Sequence, residues 1–305
     1  MKTWISTLTM MLLFSACSRQ QTENGSKSAV IESHTLSIAV TILPQRYFLK
    51  QLLGDAIDVM VMVPPGSSPE LYAPSPRQMK TLAQTELYVR VGHISIETAW
   101  LEKFASTNPT LQIVNPTQNI EFLTALAHKH DDSTSEEHTI IHGIDPHIWL
   151  SPLLMSHYCQ NLAIILTEKY PDKTQQINEN LTRLTAEIDK LDKNIRLLLE
   201  PYQGKGFMVF HPAWSYFARD YGLTQWAIED QGKSPSPQHL KEMSDLAQSK
   251  GIKVLFIQNQ FERRSAEAIS SALDIQVVEL DPLMEDWPAM MMHTAQAIAS
   301  SFEET

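Results

Sequence analysis

Four residues that could share one divalent cation recur in this chain, each beside a neighbour that stiffens its backbone. They are Glu70 in Pro69-Glu70-Leu71-Tyr72, His147 in Asp145-Pro146-His147-Ile148-Trp149, His211 in His211-Pro212-Ala213-Trp214, and Asp281 in Leu280-Asp281-Pro282. Two carboxylates neutralise a divalent ion outright, and two imidazoles suit Zn2+ or a neighbouring first-row metal. Pro146 fixes its own φ and biases Asp145 towards extended backbone, so His147 is held on a stiff segment beside Trp149. A metal site needs that stiffness, because ligand geometry has to be set before the ion arrives. The same stretch also reads as a buried histidine at a helix start, since Ser151-Pro152 can cap and open a helix.

The elements around these residues decide whether they can meet. Strand-like runs are expected at 36–42, 57–63, 87–91 and 111–114, with helices at 45–53, 76–85 and 97–105 between them. Strands return at 207–210, 225–228, 254–257 and 277–280, again with helices between. Strands that are apolar throughout and alternate with helices indicate parallel sheets covered on both faces. In such sheets ligands bind beyond the carboxyl ends of the strands. Glu70 follows the second of these runs, His211 the fifth and Asp281 the last, with two of the four candidates in each half of the chain.

Residues 171–200 join the halves, and Ile177, Leu181, Leu184, Ile188, Leu191, Ile195 and Leu198 repeat there at alternating steps of four and three. That stripe fits a coiled-coil dimer helix. It fits equally a long strut laying one face across both lobes, spanning roughly 40 Å at 1.5 Å per residue. Because both ends run directly into α/β units, the strut is the expectation. The predicted fold is thus α/β, two lobes each with a small parallel sheet covered by helices, joined by one long backbone helix. Residues 36–170 form the first lobe, 171–200 the helix and 201–305 the second lobe.

The chain has 305 residues and a formal net charge of −11, which argues against nucleic acid as a partner. Lys2, an apolar run from Trp4 to Phe14 and Ser15-Ala16-Cys17 read as a lipoprotein signal over 1–17, with Cys17 acylated. Phe14 departs from the leucine usual three residues before that cysteine. Residues 18–35 are expected to be a flexible tether. The only other cysteine, Cys159, is expected to be a core thiol without a disulfide.

The stretches 69–76, 145–152, 211–217, Gly232-Lys233-Ser234-Pro235-Ser236-Pro237 and Leu280-Asp281-Pro282-Leu283 together resemble the zinc/manganese-type solute-binding lipoproteins of bacterial ABC importers. They stand in that family's order and cover nearly the whole chain after the tether. The resemblance implies two lobes on a rigid helix and a cation clamped in the cleft. It carries ligand roles to His147, His211 and Asp281, and implies an ABC permease as partner. It also implies no catalysis, a monomer, and an extracytoplasmic location on a lipid anchor. Glu70 is the departure, since histidine is usual in this Pro-x-x-Tyr-x-Pro stretch. Histidine at 211 leans the reading towards Zn2+, while the harder Glu70 keeps Mn2+ and Fe2+ as alternatives.

His93 is a rival first ligand at the same sheet edge. The loop 128–142 carries His128, His130, His138 and His142 among acids, and reads either as a solvated loop or as an accessory metal collector. The remaining histidines (His34, His157, His239 and His293) are read as surface or packing residues.

Other classes fit less. A metallohydrolase would keep an open metal position and a free base, for which Glu70 would serve, but no His-Glu-x-x-His is present. Ala227 to Ser234 matches a relaxed phosphate loop, yet Pro235 and Pro237 delay the helix whose N-terminus must meet the phosphates. A surface adhesin explains none of the ligand placement. Because the ligands must be unprotonated to bind, capture should weaken as pH falls through the histidine range.

Overall fold

The computed structural model describes residues 36–55, 57–126, 141–229, 235–260 and 263–303. The expected signal, Cys17, the tether and nearly all of loop 128–142 lie outside them.

The first lobe is built from β1 (Leu36–Val40), α1 (Leu43–Leu53), β2 (Ile57–Val61), α2 (Pro76–Leu82), β3 (Leu87–Val89), α3 (Ser95–Thr107) and β4 (Gln112–Val114). Its sheet runs β2-β1-β3-β4, parallel throughout. A short antiparallel pair follows, β5 (Thr124–Leu126) with β6 (Ile141–Ile144). The sequence pattern does not predict this pair, whose strands have only three and four residues. α4 (Pro152–Lys169) then leads to α5 (Thr174–Leu199). Cys159 is fully buried in α4, and burial pushes its thiol well above the ordinary range.

The second lobe contains β7 (Gly206–Val209), α6 (Ser215–Asp220), β8 (Thr224–Ala227), α7 (Pro237–Lys250), β9 (Val254–Ile257), α8 (Arg263–Leu273), β10 (Gln276–Glu279) and α9 (Trp287–Glu303). Its parallel sheet is ordered β10-β9-β7-β8. Read from the other edge, this is the connectivity of the first sheet, with the lobe's second strand outermost, then its first, third and fourth. Each sheet therefore reverses its winding beside its first strand, where open α/β sheets present ligand crevices.

The period of two along each strand explains how the second sheet is covered. Phe207 and Val209 of β7, with Val254 and Phe256 of β9, join the large core that runs through both lobes. Met208, Leu255 and Ile257 point the other way, into a smaller core with Met243 and Ala247 of α7 and Ile269 and Leu273 of α8. Gly206 is required where β7 meets β8, because a Cβ there would lie 2.0 Å from the Trp226 ring.

The long helix is a strut. α5 has 26 residues, about 39 Å at 1.5 Å each. Single 3-10 turns at Pro171–Lys173 and Glu200–Tyr202 close its ends, so it is slightly shorter than the 171–200 expected. Its stripe (Ile177, Leu184, Ile188 and Ile195 fully buried) lies against α1 and α4 on the first-lobe side and α9 on the other. The stripe is thus covered within the chain. Among the described residues no helix is long and apolar enough to cross a membrane.

Candidate metal centre

Glu70 is held by a loop whose own turns are hydrogen-bonded. Ser67 N donates to Pro64 O at 3.2 Å, and Leu71 N donates to Ser68 O at the same distance. Beyond it, Ser75 and Gln78 form a capping box at the start of α2. The Gln78 amide also donates to Met62 O at 2.6 Å, while the Tyr72 hydroxyl donates to Gln78 Oε1 at 2.7 Å. The loop is therefore tied back to the end of the strand that precedes it. Ser68 Oγ donates to one carboxylate oxygen of Glu70 and leaves the other directed at the imidazoles.

His147 sits three residues beyond β6, in the turn that Pro146 stiffens. One Asp145 oxygen accepts from both the His147 backbone N–H (2.9 Å) and its Nδ1 (2.7 Å). The tautomer with hydrogen on Nδ1 leaves the Nε2 lone pair free for a ligand role. Trp149 backs the ring at 5.1 Å between centroids. Ser151 then caps α4, accepting from Leu154 N at 3.2 Å. The helix-start reading of this stretch holds, and the same turn leaves the His147 ring beside Glu70 and His211.

His211 follows β7, and its Nδ1 lies 2.5 Å from Glu229 Oε2 at the end of the neighbouring β8. The two Nε2 atoms face one another at 3.4 Å. Glu70 Oε1 lies 3.4 Å from His211 Nε2 and 3.8 Å from His147 Nε2. Among the described residues these three form the one group of acids, histidines and cysteines whose ligand atoms converge, all within 4.8 Å of one another.

Asp281 stands apart from that group. Its carboxylate accepts from Asn259 Nδ2 (3.1 Å), Gln260 Nε2 (2.9 Å) and Leu283 N (2.9 Å). The next two residues, Pro282 and Leu283, do line the hollow beside the three ligands. This loop is strapped to the first lobe. The Trp149 indole donates to Pro282 O at 2.8 Å, the Trp287 indole donates to Trp149 O at 2.7 Å, and Glu285 pairs with Arg46 and Lys50 of α1.

His93 is not in the group; it is exposed, at φ 52°, with its ring edge-on to Phe122 at 4.6 Å. Helix α7 begins at Pro237, too late for a phosphate loop ending at 234. Asp145 and Glu229 were not singled out in the sequence. An Asp-x-His spacing and a position directly beyond β8 were the signals that would have found them.

Electrostatics fit a cation site. Burial alone would raise the Glu70 carboxyl, but the two imidazoles reverse this and hold it well below the usual carboxylate range. Burial also opposes charge on both histidines. The carboxylates outweigh it, so His147 is raised by Asp145 and Glu70, and His211 is pushed up to about 9 by Glu229 and Glu70. The hollow measures about 20 Å³, room for an ion and a bound water, against the several hundred Å³ that organic ligands require. A far larger hollow beside Lys253 and Asp274 gathers no such ligand set.

A family model described as the periplasmic zinc-uptake complex component A matches residues 38–301. The high-affinity zinc uptake system protein ZnuA of Bacillus subtilis is 26% identical over 277 residues, covering 89% of this chain and 85% of its own. The zinc-binding protein AdcA of Streptococcus pyogenes is 25% identical over 83% of this chain, but the chain spans about half of that protein's length (52%). A crystal structure of ZnuA superposes with a TM-score of 0.80 at 36% identity, covering 88% of this chain and 99% of its own. A zinc-bound deletion mutant of ZnuA gives 0.79 at 37%, covering 88% and 98%.

Proposed function

The chain belongs to the periplasmic zinc-uptake complex component A family, and on that premise we propose that it is an extracytoplasmic receptor that captures Zn2+ between its lobes and delivers it to an ABC permease. Glu70, His147 and His211 hold the ion, and Asp281 leaves Asn259 and Gln260 to supply a further oxygen. The protein acts as a monomer on a lipid at Cys17, and ATP hydrolysis belongs to another subunit.

One observation carries this reading. Two ligands about 2.05 Å from a tetrahedral zinc stand about 3.3 Å apart. Here the two imidazole nitrogens are 3.4 Å apart, and Glu70 Oε1 is 3.4 and 3.8 Å from them. These three donors stand close to the separations that a zinc ion would require. Two imidazoles with carboxylate favour zinc or a close first-row neighbour over Mg2+ or Ca2+.

The role is binding, with no reaction catalysed. Glu70 is engaged by both imidazoles, and each imidazole's second nitrogen is taken by a carboxylate, so among the described residues no free general base stands beside these donors. Release follows from separating donors carried by different lobes. Because the Asp281 loop is strapped to Trp149, His211 is the donor most directly carried by the second sheet.

Metal content and chelator competition on the chain after Cys17 test this, with wild type beside His211→Ala and Glu70→Ala. One tightly held zinc per chain, lost in His211→Ala, is expected. Preference for manganese or iron would remove the zinc assignment, and no tight metal in the wild type would end the reading.

A further inference from the structure

Gln258, directly beyond β9, lines the hollow with Glu70, His147 and His211. It is 1% exposed. Its amide nitrogen donates to the His211 backbone carbonyl at 3.3 Å, which settles which end of the carboxamide is nitrogen. The other end, Oε1, is buried with no hydrogen-bond partner among the described residues. A buried amide oxygen without a donor is costly, and such atoms in folded proteins call for an explanation.

We propose that Gln258 Oε1 accepts a hydrogen bond from a water molecule that the captured cation carries in, making Gln258 a positioning residue of the site. The inference rests on the cation-capture reading above. A neutral amide competes poorly with carboxylates as a direct ligand of a divalent ion, and the Glu70 carboxylate already faces both imidazoles. A water on the cation is a strong donor, polarised by the charge it binds. It is the partner that an orphan acceptor in this wall lacks, and the hollow of about 20 Å³ has room for it. The bond forms only with the cation present, so it favours the filled site specifically.

Two substitutions in the full chain separate this from a structural role. Gln258→Met removes both the donor to His211 and the acceptor; Gln258→Glu removes the donor and keeps an acceptor. Zinc affinity is measured by chelator competition, and coordination by the visible bands of the Co2+-loaded protein. Melting curves check that each variant folds. The expected result is that Gln258→Met binds zinc about 10- to 100-fold more weakly, the range for a lost outer partner. Its Co2+ bands should change as the bound water is lost, while Gln258→Glu keeps the wild-type bands and stays within a few-fold in affinity. Equal effects of the two substitutions would assign Gln258 to holding the His211 backbone and overturn the proposal. Unchanged Co2+ bands in Gln258→Met would overturn it too, whatever the affinity. Both outcomes leave cation capture standing, whereas a wild-type chain that takes up neither zinc nor Co2+ overturns both readings.

Discussion

The two histidines of the site are oriented in opposite ways. His147 is fixed by Asp145, two residues away across Pro146, and one carboxylate oxygen holds both its backbone and its ring. His211 is fixed by Glu229, 18 residues away, and the contact exists only because β7 and β8 pair in register. One device is local and built into a proline-stiffened turn; the other depends on the sheet. The orientation of the first-lobe imidazole therefore does not depend on the second sheet. The second-lobe imidazole is oriented only as well as the second sheet is formed.

Removing either imidazole tests the shared part of this account. His147→Ala and His211→Ala should each weaken zinc binding by well over a hundredfold, more than any outer partner does. Competition against a chelator of known strength measures it.

The contrast itself is tested at the carboxylates. Asp145→Ala and Glu229→Ala should each cost about 10- to 100-fold in zinc affinity. They should differ in the metal-free protein. Asp145 also accepts from a buried backbone N–H, so its loss should destabilise the fold by about 1–3 kcal/mol in denaturant melts, more than the loss of Glu229. Equal losses of stability would contradict the local device.

A substitution distant from the ligands sharpens the comparison further. Gly206→Ala drives a Cβ into Trp226 between β7 and β8. Zinc affinity should fall several-fold through the His211–Glu229 contact. The His147 ring resonances of the metal-free protein should stay in place while those of His211 shift.

The smallest effect expected is on pH dependence. With His211 pushed up to about 9, its ring holds a proton near neutrality that zinc must displace, and the Asp145 and Glu70 carboxylates shift His147 in the same direction. Affinity should therefore fall as pH drops from about 9, with proton release on zinc binding visible in calorimetry across buffers. The sign for stability is opposite. A histidine whose folded pKa is raised stabilises the metal-free fold fully below about 6.5 and loses that contribution as pH rises through about 9. The metal-free protein should accordingly melt lower at pH 9.5 than at 6.5, and Glu229→Gln should shrink that difference.

The same contrast explains what could be read from the chain. The alternation of apolar runs and helices gave both lobes, and the stripe from Ile177 to Leu198 gave the strut, because each follows from local periodicity. The strand-end rule gathered Glu70 and His211, and the stiff turn gave His147. It did not say which groups beyond the strands touch. Glu229 was overlooked although it stands beyond β8, since its meaning depends on β8 lying beside β7. The antiparallel pair β5–β6 was missed because strands of three and four residues carry too little periodicity to stand out. Asp281 was identified by position, but the hold of Asn259 and Gln260 on its carboxylate comes from a loop that meets it only in the folded chain.

The most direct test of the central claim is a crystal structure of the zinc-loaded protein with data collected at the zinc edge. One anomalous peak is expected about 2.0–2.2 Å from Glu70, His147 Nε2 and His211 Nε2, with both Nδ1 atoms still on Asp145 and Glu229. A peak that excludes either histidine, or no ordered zinc at this position, would contradict it.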